Sequence, residues 1–300
     1  MDQSPGLEIR ALRDSDLGGV HELVHDASAI YPLPITPSVE ELERIFARRG
    51  VDWGASFGAF LDGRLVAVIM TAVDPWPAAH TGAYGVLTAV RKGAQDRGVL
   101  SALFDWLKIA LERREVTHMQ IEALVDDPRA RTAYERLGFD GERHLFCFDL
   151  PGLSRPQRFI EELSFEVHEG PLALAAQESR GSLWSSFWSL TPAWASSNLT
   201  VARTQGLVIF EAAWQGELAG YAALEPDGCE LMQLAVREDM RRRGIGTELI
   251  RACQQRAWRP TLTVASVDDR DDLGVTICFL RSLGAKLTAV QIEMVLERIY

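Results

Sequence analysis

The sequence contains a long internal repeat, which restricts the fold more than any other feature. Residues 89–100, AVRKGAQDRGVL, return 146 positions later as residues 235–246, AVREDMRRRGIG. The same displacement aligns Leu103 with Leu249, and the dipeptide Leu137-Gly138 with Leu283-Gly284, without a gap. Self-similarity over such a distance is typical of a duplicated unit. We therefore expect two domains of one fold, which a chain of 300 residues is long enough to form.

The pattern of apolar residues in the first half predicts strands and helices that alternate. Strands are predicted at 7–12, 56–61, 64–73, 83–90 and 118–125, helices at 15–30, 38–49, 96–114 and 128–138, and a last hairpin at 139–150. Ser38 and Glu41 form a capping box at the start of the second helix. Asp62-Gly63 is a hairpin turn signal.

The second half repeats much of this order. Strands are predicted at 207–214, 218–224, 229–236 and 261–267, helices at 243–257 and 276–284, and a last hairpin at 285–299. The fold class is therefore α+β, with a mixed central sheet flanked by helices in each domain. We predict domains at 1–150 and 159–300, joined by a linker at 151–158 that proline and glycine mark.

Composition limits the classes of function. The hydrophobic share of 47% and the charged share of 24% are those of an ordinary globular protein. A formal net charge of -11 disfavours a nucleic-acid partner, because that affinity comes largely from basic residues. The four cysteines show no metal-binding spacing, and no signal or membrane segment is evident. We expect a cytoplasmic protein without metal, either monomer or homodimer.

The two repeated segments carry the chemistry. Each joins a strand to a helix through glycines and arginines, and the first N–H groups of a helix have no partner within it. With the helix dipole behind them, such groups bind anions. The arginines at 241, 242 and 243 add positive charge. A glycine-softened turn with solvated arginines explains the same residues equally well.

The element order resolves this ambiguity. With the pattern Arg241-x-x-Gly244-x-Gly246 and the closing segment AYERLGF at 133–139, the chain resembles the GNAT superfamily of N-acetyltransferases in both halves. The tandem arrangement is similar in architecture to mycothiol synthase, whose substrate is not carried over. The resemblance implies acetyl-CoA as co-substrate and a small amine or peptide as acceptor.

The resemblance implies cofactor contacts in both halves. In the second half the pattern is complete, so the pantetheine arm would lie along the strand and the diphosphate on the loop: Leu234, Ala235, Val236, Arg241, Arg242, Arg243, Gly244, Ile245, Gly246 and Thr247. In the first half Leu100 replaces the last small residue and is expected to crowd the phosphate. The matching residues there are Ala89, Val90, Gln95, Arg97, Gly98 and Val99. We favour the second half as the better cofactor site.

Catalytic candidates are divided between the halves. The family often has a tyrosine in the closing helix as general acid. Tyr134 occupies that position in the first half, whereas Leu280 occupies it in the second. Because a protonated amine cannot attack a thioester, a base is also needed. Glu230 is the first candidate for that base, and the strand carboxylate Glu122 and then Asp268 are weaker ones.

Two further questions stay open at this level. Trp184, Trp188 and Trp194 either line a pocket for an apolar acceptor or pack into the core, and their spacing favours packing. The division of intact features between the halves also permits a catalytically degenerate protein that binds CoA as a sensor or scaffold.

Overall fold

The structure is a computed structural model that describes residues 6–28, 36–76, 80–95, 97–154, 159–268, 270, 274–297 and 299. The chain divides into two compact units, Met1–Glu142 with Ile292–Tyr300, and Arg143–Gln291. In each unit a sheet lies between two apolar clusters, one on each face. A mixed sheet flanked by helices, as predicted, is therefore the fold of both units.

The first unit contains the strands β1 (Leu7–Ala11), β2 (Phe57–Leu61), β3 (Arg64–Trp76), β4 (His80–Val90) and β5 (Val116–Leu124), and the helices α1 (Leu17–Ser28), α2 (Val39–Arg49), α3 (Val99–Glu112) and α4 (Pro128–Arg136). The strands β1 to β4 pair antiparallel with their neighbours, whereas β4 and β5 are parallel. Helices α1 and α2 pack on one face of the sheet and α3 on the other.

The second unit contains the strands β6 (Asp140–Leu150, from Arg143 on), β7 (Leu163–Glu169), β8 (Val208–Trp214), β9 (Glu217–Glu225), β10 (Glu230–Val236) and β11 (Leu262–Asp268). Its helices are α5 (Pro171–Ser185), α6 (Asn198–Ala202), α7 (Ile245–Arg256) and α8 (Val275–Ser282). The order in the sheet is β6-β11-β10-β9-β8-β7, and β10 and β11 are parallel. A final strand, β12 (Lys286–Glu297), follows α8 and enters the first unit at Ile292.

Local sequence signals explain several boundaries. Helix α2 begins at the predicted capping box, where the Glu41 N–H donates to Ser38 Oγ at 3.2 Å and the Ser38 N–H donates to Glu41 Oε2 at 2.8 Å. Asp62 and Gly63 both adopt positive φ, 51° and 79°, as a tight hairpin turn requires. Both sequence-based predictions are confirmed.

The two predicted terminal hairpins are wrong. Residues 140–150 and 286–297 each form one continuous strand, β6 and β12. Asp140-Gly141 reads as a turn, but Gly141 is not among the residues with positive φ. A Cβ on Gly141 would lie 2.8 Å from Ile292 Cδ1, so this glycine allows a close packing contact instead of a turn.

The continuous strands also move the boundaries of the units. Strand β6 pairs with β11 from Leu145↔Asp268 to Leu150↔Leu262, inside the second unit. In the first unit, Met294 and Leu296 of β12 join the core. The structural units therefore differ from the predicted ranges 1–150 and 159–300 by an exchange of closing strands. Of the predicted linker, residues 155–158 lie outside the described residues.

The duplication extends to irregularities of the sheets. A β-bulge makes Val86 an extra residue of β4 opposite β3, and another makes Met232 an extra residue of β10 opposite β9. These two residues are related by the displacement of the sequence repeat. A bulged residue is left out of the ladder, so its backbone groups can point elsewhere.

Three elements of the second unit have no counterpart in the sequence analysis, namely β7, α5 and α6. Most residues of β7 are exposed, so it lacks alternating buried positions. Helix α5 buries small or polar residues along with Trp184, which hides the apolar period. None of the helices that the structure describes combines the length and apolar character needed to cross a bilayer.

Candidate cofactor and catalytic site

The corner between β10 and α7 exposes a row of backbone N–H groups. Arg242 and Gly244 adopt positive φ, 66° and 89°, and turn the chain into the helix. Among the described residues, no backbone acceptor pairs with the N–H groups of residues 242–247, and pairing resumes where the Glu248 N–H donates to Gly244 O at 3.1 Å. These groups lie at the positive end of a helix dipole, an arrangement whose geometry and charge suit an anion.

Gly246 has a packing role in this corner. A Cβ on Gly246 would lie 3.2 Å from Phe279 Cζ and 3.7 Å from Val236 Cγ2, so its missing side chain faces α8 and β10. The repeat places Leu100 at this position in the first unit, and Ala133 at the position of Phe279. Leu100 is half-buried and packs against the first unit's core. The second unit thus combines a glycine with a phenylalanine at these two positions, and the first unit combines a leucine with an alanine.

The three arginines of the loop have different surroundings. Arg241 Nε donates to Val236 O at 3.1 Å and its Nη2 donates to Ser189 Oγ at 3.2 Å, so this side chain fixes the loop. Gln95, its repeat counterpart, donates from Nε2 to Val90 O at 3.3 Å. Arg242 and Arg243 are exposed, and the Arg243 guanidinium lies 5.1 Å from the centre of the Trp214 ring. Arg242 and Arg243 are therefore available to an anion.

The first unit forms a second corner with related geometry. Gly98 caps α3 with φ 71°, and a Cβ there would meet no heavy atom within 4 Å. Arg97 is exposed, whereas Ala89 and Val99 are buried in the cores on opposite faces. The structure thus brings Ala89, Val90, Gln95, Arg97, Gly98 and Val99 together at one strand-to-helix junction.

The parallel strands that precede each corner separate before they reach it. Strands β4 and β5 pair from Thr81 to Gly85, and β10 pairs with β11 only at Glu230↔Thr263. Leu234, Ala235 and Val236 pair with β9 on one edge. No pairing joins their other edge to β11 in the part of the chain that the structure describes. A ligand with an extended chain could therefore pair with that edge of β10 as a further strand.

Glu230 lies where β10 and β11 begin to separate. It is half-buried and six residues before Val236, which at about 3.3 Å per strand residue is roughly 20 Å along the strand. The bulged residue Met232 follows two positions later. The Glu230 carboxylate and the N–H of Met232, which the bulge leaves out of the ladder, are therefore two residues apart where β10 and β11 begin to separate.

The position of the family's tyrosine differs between the units. Tyr134 is half-buried and packs edge-on against Phe139, with ring centres 5.6 Å apart. Leu280 is 1% exposed and belongs to the core of the second unit, so no hydroxyl is present there. Asp127 caps α4 by accepting the Ala130 N–H at 3.0 Å.

The two weaker base candidates are engaged in other contacts. Asp268 accepts hydrogen bonds from Arg143 Nη1 at 2.6 Å and from the Arg270 N–H at 2.9 Å. Burial opposes a low pKa for Asp268, but these hydrogen bonds outweigh burial and lower the pKa below the ordinary value. Glu122 accepts a hydrogen bond from the Tyr84 hydroxyl. Asp268 is therefore a poor base, because its charge is already stabilised.

The tryptophans pack into the second unit. Trp184 is fully buried and stacks on Tyr221 with ring centres 4.8 Å apart. Trp188 is half-buried, its Nε1 donates to Tyr221 Oη at 2.7 Å, and Trp194 is buried. The packing interpretation of the tryptophan spacing is confirmed for Trp184 and Trp194.

The sequence analysis did not identify a buried carboxylate that contacts Trp184. Glu211 on β8 accepts hydrogen bonds from Trp184 Nε1 at 2.9 Å and from Arg180, and lies 3.0 Å from His168 Nε2. With Glu166, these side chains bring three potential metal ligands within 4.8 Å of one another. Arg180 already supplies the positive charge that Glu211 needs. The residues come from β7, α5 and β8, so no local sequence pattern reveals them.

Solved structures share this fold along the whole chain. The structure is similar to a GCN5-related N-acetyltransferase from Sphaerobacter thermophilus, with a TM-score of 0.72 and 16% identity over 99% of this chain and 97% of that one. A tandem GNAT protein from the clavulanic acid biosynthesis pathway gives 0.69 and 17% over 97% and 98%. A putative acetyltransferase from Pyrococcus horikoshii gives 0.67 and 15% over 99% and 91%.

Sequence comparison gives the family. A search of curated proteins finds no significant match. The model of the acetyltransferase (GNAT) family matches residues 20–139 and again residues 174–273, which together are more than half of the chain. The chain therefore belongs to the acetyltransferase (GNAT) family and carries the family domain twice, in tandem.

Proposed function

We propose that the chain is an N-acetyltransferase that moves an acetyl group from acetyl-CoA to a primary amine of a small molecule or peptide. The observation that carries this proposal is the row of backbone N–H groups at residues 242–247. Together with the exposed Arg242 and Arg243, this row fits a diphosphate. Family membership supports acyl transfer as the reaction class.

In this proposal the second unit holds the co-substrate. The diphosphate lies on Arg242, Arg243, Gly244, Ile245, Gly246 and Thr247, and Arg241 holds the loop in place. The extended arm lies along Leu234, Ala235 and Val236, where the edge of β10 is open toward β11. The corner of the first unit is the second choice, because Leu100 breaks the family pattern there.

The chemistry that we propose is direct attack. Glu230 takes a proton from the ammonium group of the acceptor, and the free amine then forms a C–N bond with the acetyl carbonyl carbon as the C–S bond breaks. In this proposal the backbone N–H of Met232, the residue left out of the ladder at the bulge, donates a hydrogen bond to the carbonyl oxygen. Because Leu280 offers no hydroxyl, a water molecule gives a proton to the departing thiolate and takes the second proton from the attacking nitrogen, which becomes the amide nitrogen.

A matched pair of variants tests the cofactor site. Arg243 and Arg97 are exposed repeat counterparts, so charge reversal at either leaves the core intact. In calorimetric titrations with acetyl-CoA, Arg243→Glu should weaken binding at least tenfold, whereas Arg97→Glu should bind like wild type. Loss only in Arg97→Glu would assign the site to the first unit. The absence of any binding to wild type would overturn the enzyme proposal.

The alternative function, a degenerate CoA-binding sensor or scaffold, is favoured by the apolar Leu280 at the position of the acid. A screen of amine acceptors for acetyl-CoA consumption separates it from the enzyme. Binding without consumption for any amine supports the sensor, and turnover supports the transferase. We also propose a cytoplasmic protein that acts as a monomer or homodimer.

A further inference from the structure

A cavity of about 410 Å³ lies between α7 and β7 in the second unit. This volume is within the range of roughly 300–1,000 Å³ that small-molecule sites occupy. Its helix wall is one stripe of α7 with the spacing i, i+3 and i+4, which consists of Glu248, Arg251 and Ala252. Its sheet wall consists of Phe165, Val167 and Phe210. The cavity therefore has one polar wall and one apolar wall.

The apolar wall is at the edge of the sheet. Val167 lies opposite Phe210 in the β7–β8 register, and Phe165 is two residues before Val167 on the same face. Strand β7 is the last strand of the sheet, and Phe165 and Val167 are 38% and 47% exposed. An apolar ligand that covers these two side chains removes apolar surface from water, which favours binding.

The polar wall is a buried ion pair with unused hydrogen-bonding groups. Arg251 Nε donates to Glu248 Oε2 at 3.1 Å, and the two residues are only 9% and 5% exposed. Among the described residues, neither the Nη groups of Arg251 nor Oε1 of Glu248 has a hydrogen-bond partner. Buried polar groups without partners are costly, and a ligand or water commonly satisfies them.

The first unit lacks this ion pair. The sequence repeat places Ala102 and Asp105 at the positions of the ion pair, and Trp106 at the position of Ala252. The fold that both units share therefore does not require the ion pair. The second unit also has a small residue where the first has the largest side chain.

The charges that line the cavity cancel. At the rim, Arg256 Nε donates to Glu169 Oε1 at 2.6 Å, and both side chains are about half exposed. Inside the cavity, Arg251 and Glu248 balance each other in the same way. A charged ligand would face a like charge beside it, which is unfavourable. The cavity therefore suits a neutral group that both donates and accepts hydrogen bonds.

We infer that this cavity binds a small neutral molecule with an apolar body and a carboxamide group. The carboxamide oxygen accepts a hydrogen bond from Arg251 Nη, and the carboxamide NH₂ donates to Glu248 Oε1. The apolar body covers Phe165 and Val167. Each unused polar group of the ion pair thereby gains a partner, and no net charge is buried.

This site is separate from the acetyl-CoA corner, because the two lie on opposite sides of α7. With about 3.6 residues per turn, Glu248 and Arg251 are on the side of the helix opposite Gly246. Gly246 faces Phe279 of α8, whereas the ion pair lines the cavity against β7. The inference does not depend on the proposed acetyl transfer, since it concerns binding alone.

The test is calorimetric titration of benzamide into the full chain at pH 7, because benzamide joins an aromatic body to a carboxamide. Two molecules of similar shape are the comparison ligands: acetophenone accepts a hydrogen bond but donates none, and benzoate carries a negative charge. Wild type should bind benzamide saturably and at least tenfold more tightly than either of them. Saturating acetyl-CoA should leave the Kd for benzamide unchanged.

Two variants test the cavity in different ways. Arg251→Lys keeps a positive charge beside Glu248 but loses the forked N–H groups, so the Kd for benzamide should rise at least tenfold. Ala252→Trp copies the residue of the first unit and fills the cavity while the ion pair stays, so saturable binding should be lost. A thermal melt of each variant checks that it folds, and if one does not fold, the other decides.

Trp106→Ala is the matched control. It makes the reverse exchange at the counterpart position in the first unit, where Trp106 is 37% exposed. Because the first unit lacks the ion pair, this variant should leave both the Kd for benzamide and the number of bound molecules unchanged.

The inference is overturned if wild type gives no saturable binding of benzamide, or if either folded variant binds it like wild type. It is also overturned if benzoate binds as tightly, which would indicate an anion site, or if acetophenone does, which would indicate apolar contact alone. Competition by acetyl-CoA would overturn it by assigning benzamide to the coenzyme site. A separate titration of acetyl-CoA into wild type distinguishes failure of this site from failure of the proposed function.

Discussion

At the scale of single residues, the two corners show how a duplicated site diverges while it keeps its packing. Gly246 faces Phe279 in the second unit, and the repeat places Leu100 and Ala133 at these positions in the first. The glycine was predicted from the sequence as a place for phosphate. The contact with Phe279 was not predictable, because it joins two helices that a strand separates.

This difference in side-chain size between the two units predicts an effect on stability. Gly246→Leu should lower the free energy of unfolding by about 2 kcal/mol, because the new side chain overlaps Phe279. The double variant Gly246→Leu with Phe279→Ala, which copies the residues of the first unit, should recover most of that loss. Urea denaturation measures both. A Gly246→Leu variant as stable as wild type would show that Phe279 does not limit the size of the side chain at position 246.

Glu230 gives a second residue-scale prediction. Glu230→Gln should slow acetyl-CoA consumption by about 10²-fold to 10⁴-fold at pH 7 without changing acetyl-CoA affinity, since the base acts only on the acceptor. The deficit should shrink as pH rises toward the pKa of the amine, where the free amine needs no base. The matched control is Glu217→Gln, an exposed carboxylate on β9 that should keep the wild-type rate. Wild-type rates in Glu230→Gln would exclude this residue as base.

At the scale of elements, the sequence predicted the helices and strands that have a strong local period. β8, β10, β11 and α7 lie within one or two residues of their predicted ranges. The first terminal hairpin failed because Asp140-Gly141 favours a turn locally, whereas in the structure Gly141 lies within a strand and packs closely against the distant Ile292. Likewise, Glu293 of β12 acts on the charge of Tyr84 of β4 only because the sheet brings these strands near each other, so the sequence separation concealed this relation.

The pairing of β6 with β11 predicts a pH effect. Arg143 and Asp268 join the two strands with side chains only 6% and 10% exposed. Asp268→Asn should therefore cost about 3 kcal/mol at pH 7, because it removes the buried carboxylate charge that pairs with Arg143. The pKa of Asp268 is lowered by folding, so this stabilisation is present above the unfolded pKa of about 3.9 and is lost as pH falls through the lower folded value.

Denaturation at a series of pH values measures this effect. The difference in the free energy of unfolding between Asp268→Asn and wild type should become smaller only in strong acid. Asp239→Asn, which removes an exposed partner of Arg237, should lower the free energy of unfolding much less, because water screens an exposed ion pair. A large difference that persists at low pH would show that the cost is not electrostatic.

At the scale of the whole molecule, the exchange of closing strands means that a sequence repeat and a folded unit do not contain the same residues. Phe148 and Leu150 are fully buried in the second unit but belong to the first repeat. Met294 and Leu296 are buried in the first unit but belong to the second repeat. Each repeat therefore lacks core residues of its own unit.

This arrangement predicts how fragments behave. Residues 1–154 and 155–300 should each be insoluble when expressed alone, because each lacks a strand that its unit needs. Expressed together, they should co-purify as a soluble complex, which size-exclusion chromatography and an affinity tag on one fragment would detect. Soluble, cooperatively folding single fragments would contradict the exchange.

The exchange also bears on the order in which the chain folds during synthesis. The second unit has all its strands once residue 291 has left the ribosome, whereas the first must wait for residues 292–297 although most of it was made first. The N-terminal half therefore remains open at one sheet edge until residues 292–297 have been made. Termination before residue 292 would thus damage the unit that is built mostly from residues 1–142.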